Sequence, residues 1–242
     1  QQQHDDALAR LIPIVDLETA VKDADLIIEA APEDLGLKKK IFAEVDSLAP
    51  AHAILASNTS TMSITEIASA TKRPEQVVGM HFFNPAVLMK LVEVIYGDKS
   101  SDAAIATTFE VAQKMNKVGV IVKKDSPGFI YNRVNSPTAL LLQMILEKGS
   151  PSPEQFDAVF KPIMPMTPFE LMDYVGLDIV LHTQKYYSET LSKDYTPTKA
   201  LQDIVNAGRL GMKTGKGLYD WSAGRPRIDT SNPTTEYDPT HM

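Results

Sequence analysis

Between Asp25 and Val122, short apolar runs alternate with amphipathic ones at close spacing. This alternation limits the architecture more than any other feature of the chain. Asp25–Ala31 has the composition of a strand and is ended by Pro32. Asp34–Ala49 is helical in pattern, with Leu37, Ile41, Val45 and Leu48 on one stripe and Lys38, Lys39 and Glu44 facing elsewhere. Pro50 stops it. Strand-like runs follow at Ala53–Ser57, Val77–His81, Leu91–Ile95 and Val118–Val122. Helical runs lie at Ile64–Ala70 and Asp102–Lys117, the latter with Ile105, Phe109, Ala112 and Met115 on one stripe. Alternating strands and helices imply an α/β domain, a mostly parallel sheet covered by helices with right-handed crossovers.

The pattern changes at Lys123-Lys-Asp-Ser-Pro-Gly128. Ser126 is suited to cap a helix beginning at Pro127. Helical runs then cover Phe129–Lys148 (with a kink expected near Pro137), Glu154–Phe160, Pro168–Leu191 with a break at Gly176, and Pro197–Ala207. A Gly-rich segment, Gly211–Trp221, closes the ordered part; the polar tail beyond it has no periodicity. The chain is thereby divided into an α/β domain over residues 1–125, an all-helical domain over 126–221, and a tail or linker over 222–242.

Composition narrows the chemistry. The 242 residues include no cysteine, which removes disulfides, thiol catalysis and thiolate metal sites. A net charge of −7 argues against nucleic acid or an anionic membrane surface as partner. No apolar run approaches the roughly 18 residues of a membrane span. A cytoplasmic location is the expectation. No His, Asp and Glu spacing suggests a metal site, and His4, His52, His182 and His241 lack a partner pattern.

Ligands of open parallel sheets bind outside the carboxyl ends of the strands. Three consecutive predicted strands end in polar groups: at Glu33, at Ser57-Asn58-Thr59-Ser60, and at His81. Glu93 returns twelve residues after His81, a connection long enough to bring its carboxylate beside the imidazole. A carboxylate fixes the tautomer of a histidine and stabilises its protonated form, which makes a general base.

These residues sit in motifs that resemble the L-3-hydroxyacyl-CoA dehydrogenases. The motifs are Ser57-Asn-Thr-Ser60, Gly79-Met-His-Phe-Phe-Asn-Pro85, Leu91-Val-Glu93, Asp125-Ser-Pro-Gly-Phe-Ile-Tyr-Asn132 and Pro168-Phe-Glu-Leu-Met-Asp-Tyr-Val-Gly-Leu-Asp178. The resemblance runs from about Leu8 to Trp221 in the family's order. It implies a Rossmann-like, doubly wound NAD-binding domain, N-terminally incomplete, and a helical substrate and dimerisation domain. His81 would take the proton of the substrate 3-hydroxyl, Glu93 would orient His81, and Ser60 and Asn132 would bind substrate oxygens across both domains. Glu33, Lys38, Asn58, Ser60, Asn84 and Lys213 match cofactor-site positions. The implied substrate is an acyl-CoA, the pathway fatty-acid β-oxidation or a short-chain relative, and the assembly a homodimer. NAD rather than NADP rests on the resemblance alone.

One departure bears on function. The family opens with a Gly-x-Gly-x-x-Gly turn that holds the cofactor pyrophosphate on helix N-terminal amides. The first glycine here is Gly36. Gly211-Met-Lys-Thr-Gly-Lys-Gly217 is a residue short of a phosphate loop, lacks the Ser/Thr after Gly-Lys, and follows no strand. The expectation is that the chain is part of a longer polypeptide, with further domains possible. Two functions stay open: a NAD-dependent dehydrogenase, and a non-catalytic fragment or acyl-CoA-binding module of one.

Overall fold

The computed structural model describes residues 2–230 and divides into two compact units, 1–133 and 134–242. The part of the predicted tail beyond residue 230 lies outside the described residues.

The first unit opens with helices α1 (Gln2–Leu8) and α2 (Leu17–Val21). It continues with β1 (Leu26–Glu29), α3 (Leu35–Leu48), β2 (Ile54–Ser57), α4 (Ile64–Ala68), β3 (Val77–Phe82), β4 (Leu91–Tyr96), α5 (Asp102–Lys114) and β5 (Val118–Val122). The strands lie in sequence order in one sheet. β1, β2 and β3 are parallel, as the intervening helices require, and so are β4 and β5. β3 and β4 are antiparallel. The α/β class expected from the alternation holds. The sheet is mixed because no helix separates β3 from β4, so the chain turns back.

Central strands are buried on both faces, which explains their continuous apolar composition. Leu55, Val77 and Ile95 face a core with Phe42, Val45, Ile64 and Ile67. Their neighbours Ile54, Ala56, Val78 and Val94 face Ala104, Ile105 and Ala112. Asp34 caps α3 by accepting from the Leu37 N–H at 2.7 Å. The buried stripe of α3 is Lys38, Phe42 and Val45 rather than one led by Leu37. Lys38, expected to face elsewhere, is 1% exposed because carboxylates draw its ammonium inward. On α5, Ala104, Ile105, Thr108 and Ala112 are buried, while Met115 is the exposed C-cap.

Helix α6 runs Tyr131–Lys148, four residues later than the Ser126–Pro127 cap predicted, and continues through Pro137. Gly128 (φ 78°) and Phe129 (φ 52°) adopt left-handed conformations that no α-helix contains. The second unit adds α7 (Pro153–Phe160), α8 (Pro168–Val175), α9 (Leu177–Thr190) and α10 (Lys199–Asn206). The break at Gly176 is present, at φ 109°. Phe169, Leu177, Leu181 and Leu201 form the core with Tyr219 and Trp221.

The Gly-rich segment is fastened to α8. Asp173, fully buried, accepts from the Leu218 and Tyr219 N–H groups at 2.8 Å each and from Trp221 Nε1 at 2.9 Å. A Cβ on Gly217 would lie 2.2 Å from the Asp173 carboxylate, so glycine is needed for this close approach.

Glu170 is likewise buried and meets Arg225 and Lys161. Burial pushes its carboxyl up, but the Arg225 hydrogen bond, the Thr167 N–H and the two cationic charges outweigh burial and hold it down to about 2. A depressed carboxylate contributes stability above its ordinary value of 4.5 and loses it as pH falls toward about 2. The stability gap between wild type and Glu170→Gln should therefore shrink across that interval, measured by urea unfolding at stepped pH. A gap independent of pH would contradict the ionised assignment.

Candidate active site

His81 and Glu93 are direct cross-strand partners in the β3–β4 ladder. Opposed residues of an antiparallel pair project to the same face, so the twelve-residue separation closes to one side-chain contact. His81 Nδ1 lies 2.7 Å from Glu93 Oε2, with the residues 3% and 1% exposed. The other carboxylate oxygen accepts from the Ile130 and Tyr131 N–H groups, at 3.0 and 2.9 Å, where α6 begins. Burial pushes the Glu93 carboxyl up. The hydrogen bond from His81, the Tyr131 and Ile130 amides, and the positive charge the imidazole carries when protonated outweigh this and hold it below its ordinary value. An ionised carboxylate only accepts, so Nδ1 carries the hydrogen and Nε2 is the basic nitrogen of the neutral ring. Phe83 and Phe129 flank the imidazole, with ring centroids 4.5 and 5.9 Å away.

The turn after β2 is tied to the same region. Asn132 Nδ2 donates to the Ser60 carbonyl at 3.2 Å. Asn58 Oδ1 accepts from the Phe82 N–H at 2.8 Å, one residue beyond His81. Glu33 Oε1 accepts from Thr59 Oγ1 at 2.6 Å and from the Ser60 N–H at 2.9 Å. Ser60, His81, Glu93 and Asn132 all belong to the first unit, Asn132 at the start of α6. α6 begins two residues before the boundary of that unit.

The remaining expected positions divide. Glu33 and Asn58 join the network, both half-buried. Asn84 is exposed and precedes Pro85 across a cis bond. Lys38 is enclosed: its ammonium meets Glu29 Oε1 at 2.8 Å, the Ala31 carbonyl at 3.1 Å and Glu33 Oε2 at 3.4 Å. Lys213 lies in the second unit, where Asp178 engages it at 2.6 Å. Sequence reasoning missed Glu29, whose only signal was a lone carboxylate ending the run Leu26-Ile-Ile-Glu29. Among the described residues, no cluster of His, Asp and Glu is arranged to hold a metal ion, and no helix is long and apolar enough to cross a membrane.

Comparison with known proteins places the whole of this region in one family. Residues 1–126 match the family profile of the 3-hydroxyacyl-CoA dehydrogenase NAD binding domain, and residues 128–221 that of the C-terminal domain. A 3-hydroxybutyryl-CoA dehydrogenase of Clostridioides difficile is 46% identical over 205 residues, covering 84% of this chain and 73% of the relative. The fatty acid oxidation complex subunit alpha of a Psychrobacter species is 42% identical over 217 residues, covering 88% of this chain and 30% of that larger protein. The crystal structure of M. tuberculosis FadB2 superposes with a TM-score of 0.85 at 36% identity, over 91% of this chain and 78% of that one. The chain belongs to the 3-hydroxyacyl-CoA dehydrogenase family, a family of NAD-dependent oxidoreductases.

Proposed function

We propose that the chain oxidises the 3-hydroxyl of a short-chain L-3-hydroxyacyl-CoA to the 3-ketone, with His81 as general base. The observation that carries this is the buried His81–Glu93 pair, with its basic Nε2, beside the turn that joins Ser60 to Asn132.

The polar groups at the carboxyl ends of β1 and β2 suit the nicotinamide and its ribose, Glu33, Asn58 and Ser60 being half-buried there. Lys38 would act from beneath Glu33, and Asn84 and Lys213 are further candidates. The sequence contains no Gly-x-Gly-x-x-Gly turn for a pyrophosphate, so no role is assigned on that side. NAD, when bound, supplies the hydride acceptor. His81 Nε2 takes the hydroxyl proton, the O–H electrons form the C=O bond, and the C3–H pair leaves as hydride. The imidazolium is stabilised by Glu93 through Nδ1–H, while Ser60 and Asn132 hold substrate oxygens.

Names of relatives support a butyryl-sized acyl group and a place in fatty-acid oxidation. A cytoplasmic homodimer paired through its helices completes the proposal, with residues 1–125 holding NAD and 126–221 serving substrate and dimer. The test is NADH formation from NAD and L-3-hydroxybutyryl-CoA. A protein that binds the acyl-CoA without forming NADH is a binding module instead.

Glu93→Gln gives a finer test. Glu93 accepts hydrogen bonds on both oxygens, and Gln offers only one oxygen. Its amide therefore meets either His81 Nδ1–H or the α6 amides donor to donor. Turnover should fall about 10–100-fold, the equivalent of a lost hydrogen bond to a charged group. The loss should be smaller than for His81→Gln. The reverse order of the two losses would contradict the assigned roles.

A further inference from the structure

Glu29 ends β1 within the first unit and is almost fully buried. Its carboxylate binds in two directions. Oε1 accepts from Lys38 Nζ at 2.8 Å and from the Ala31 N–H at 2.5 Å. Oε2 accepts from Ser57 Oγ at 2.7 Å. Both directions lead to the same place. Ser57 Oγ accepts from the Thr59 N–H at 3.2 Å. Lys38 approaches Glu33 Oε2 at 3.4 Å, and Glu33 Oε1 receives Thr59 Oγ1, the Ser60 N–H at 2.9 Å and the Thr61 N–H at 3.3 Å. Ser57 and Thr59 are themselves buried.

Two carboxylates thus share one ammonium beneath the turn that carries Ser60. A buried ammonium without counter-charge is costly, so Lys38 must be balanced locally. Glu29, the closer partner, supplies that balance and leaves Glu33 free to accept from the turn. We propose that Glu29 is a positioning residue: it anchors Lys38 and Ser57, and so fixes the Glu33-bound turn that presents Ser60. The arrangement depends on Glu29 for charge as well as for hydrogen bonding. Glu29→Gln keeps the shape and an acceptor but removes the charge. Lys38 then has Glu33 as its only carboxylate, which draws Glu33 away from the Ser60 and Thr61 amides.

This inference rests on the substrate role given to Ser60, but its primary readout is independent of turnover. Amide hydrogen exchange on the whole chain should show Ser60 and Thr61 exchanging about tenfold faster or more in Glu29→Gln, with amides of α5 and β5 unchanged. The double variant Glu29→Gln/Lys38→Met, which removes both charges, should return exchange to within about threefold of wild type. In an enzyme confirmed active, KM for the acyl-CoA should rise more than kcat falls. Unchanged exchange at Ser60 and Thr61, or an equal rise across the whole first unit, would overturn the proposal. If Glu29→Gln does not fold, Lys38→Gln is measured instead: it leaves the two carboxylates facing each other and should loosen the same two amides, and no change there would equally overturn it. Absence of turnover in wild type bears on the dehydrogenase reading alone.

Discussion

His81→Gln should lower turnover by about 10²–10⁴-fold, the usual contribution of a general base, while leaving the protein folded. Glutamine fills much of the imidazole's place between Phe83 and Phe129, and its amide can still donate to Glu93. It has no group that accepts a proton near neutral pH. The loss should therefore fall on kcat, with KM for the acyl-CoA changed little, because binding through Ser60 and Asn132 does not pass through the ring. Steady-state kinetics with unfolding curves for both proteins provide the check. A variant that keeps full activity would show that the proton goes elsewhere.

The largest stability effect should come from the second unit. Asp173→Ala removes the acceptor of three donors, the buried Tyr219 amide and Trp221 indole and the part-buried Leu218 amide. Each would be left desolvated and unpaired, and hydrogen bonds to a charged acceptor are worth about 1.5–3 kcal/mol apiece, less than additively. A loss of about 3–5 kcal/mol follows, placing Asp173→Ala among the severe substitutions. Chemical denaturation followed by Trp221 fluorescence reports on this region directly, since it is the only tryptophan. A loss below about 1 kcal/mol would mean that Asp173 does not hold the segment. Gly217→Ala should act in the same direction, because its Cβ would meet the same carboxylate.

Much of the fold is legible in the sequence. Strand positions followed from short apolar runs, because strands buried on both faces carry little else. The pairing of His81 with Glu93 was suggested by the length of their connection; the antiparallel register that makes them direct partners was not, since alternation alone favours parallel order. Helix α3 puts Ile41, Val45 and Leu48 of its expected stripe on the core, but it exposes Leu37 and buries Lys38, because a lysine is counted as solvent-facing unless its counter-charges are known. Those charges, on Glu29 and Glu33, come from a strand end and the loop after it. Helix α6 starts later than the Ser126-Pro127 capping signal suggests, because Gly128 and Phe129 form a left-handed turn just ahead of the Ile130 and Tyr131 amides that donate to Glu93. The Gly-rich closing segment lacks the spacing and the Ser/Thr of a phosphate loop. It is a clasp on Asp173, a role that only the fold of the second unit reveals.

The central claim is that His81, held by Glu93, removes the hydroxyl proton as hydride leaves C3. It is tested most directly by mass spectrometry of the nicotinamide after reaction of NAD with C3-deuterated L-3-hydroxybutyryl-CoA. Deuterium should appear in NADH with wild-type protein, and about 10²–10⁴-fold more slowly with His81→Gln. Equal rates of deuterium transfer in the two proteins would contradict the account.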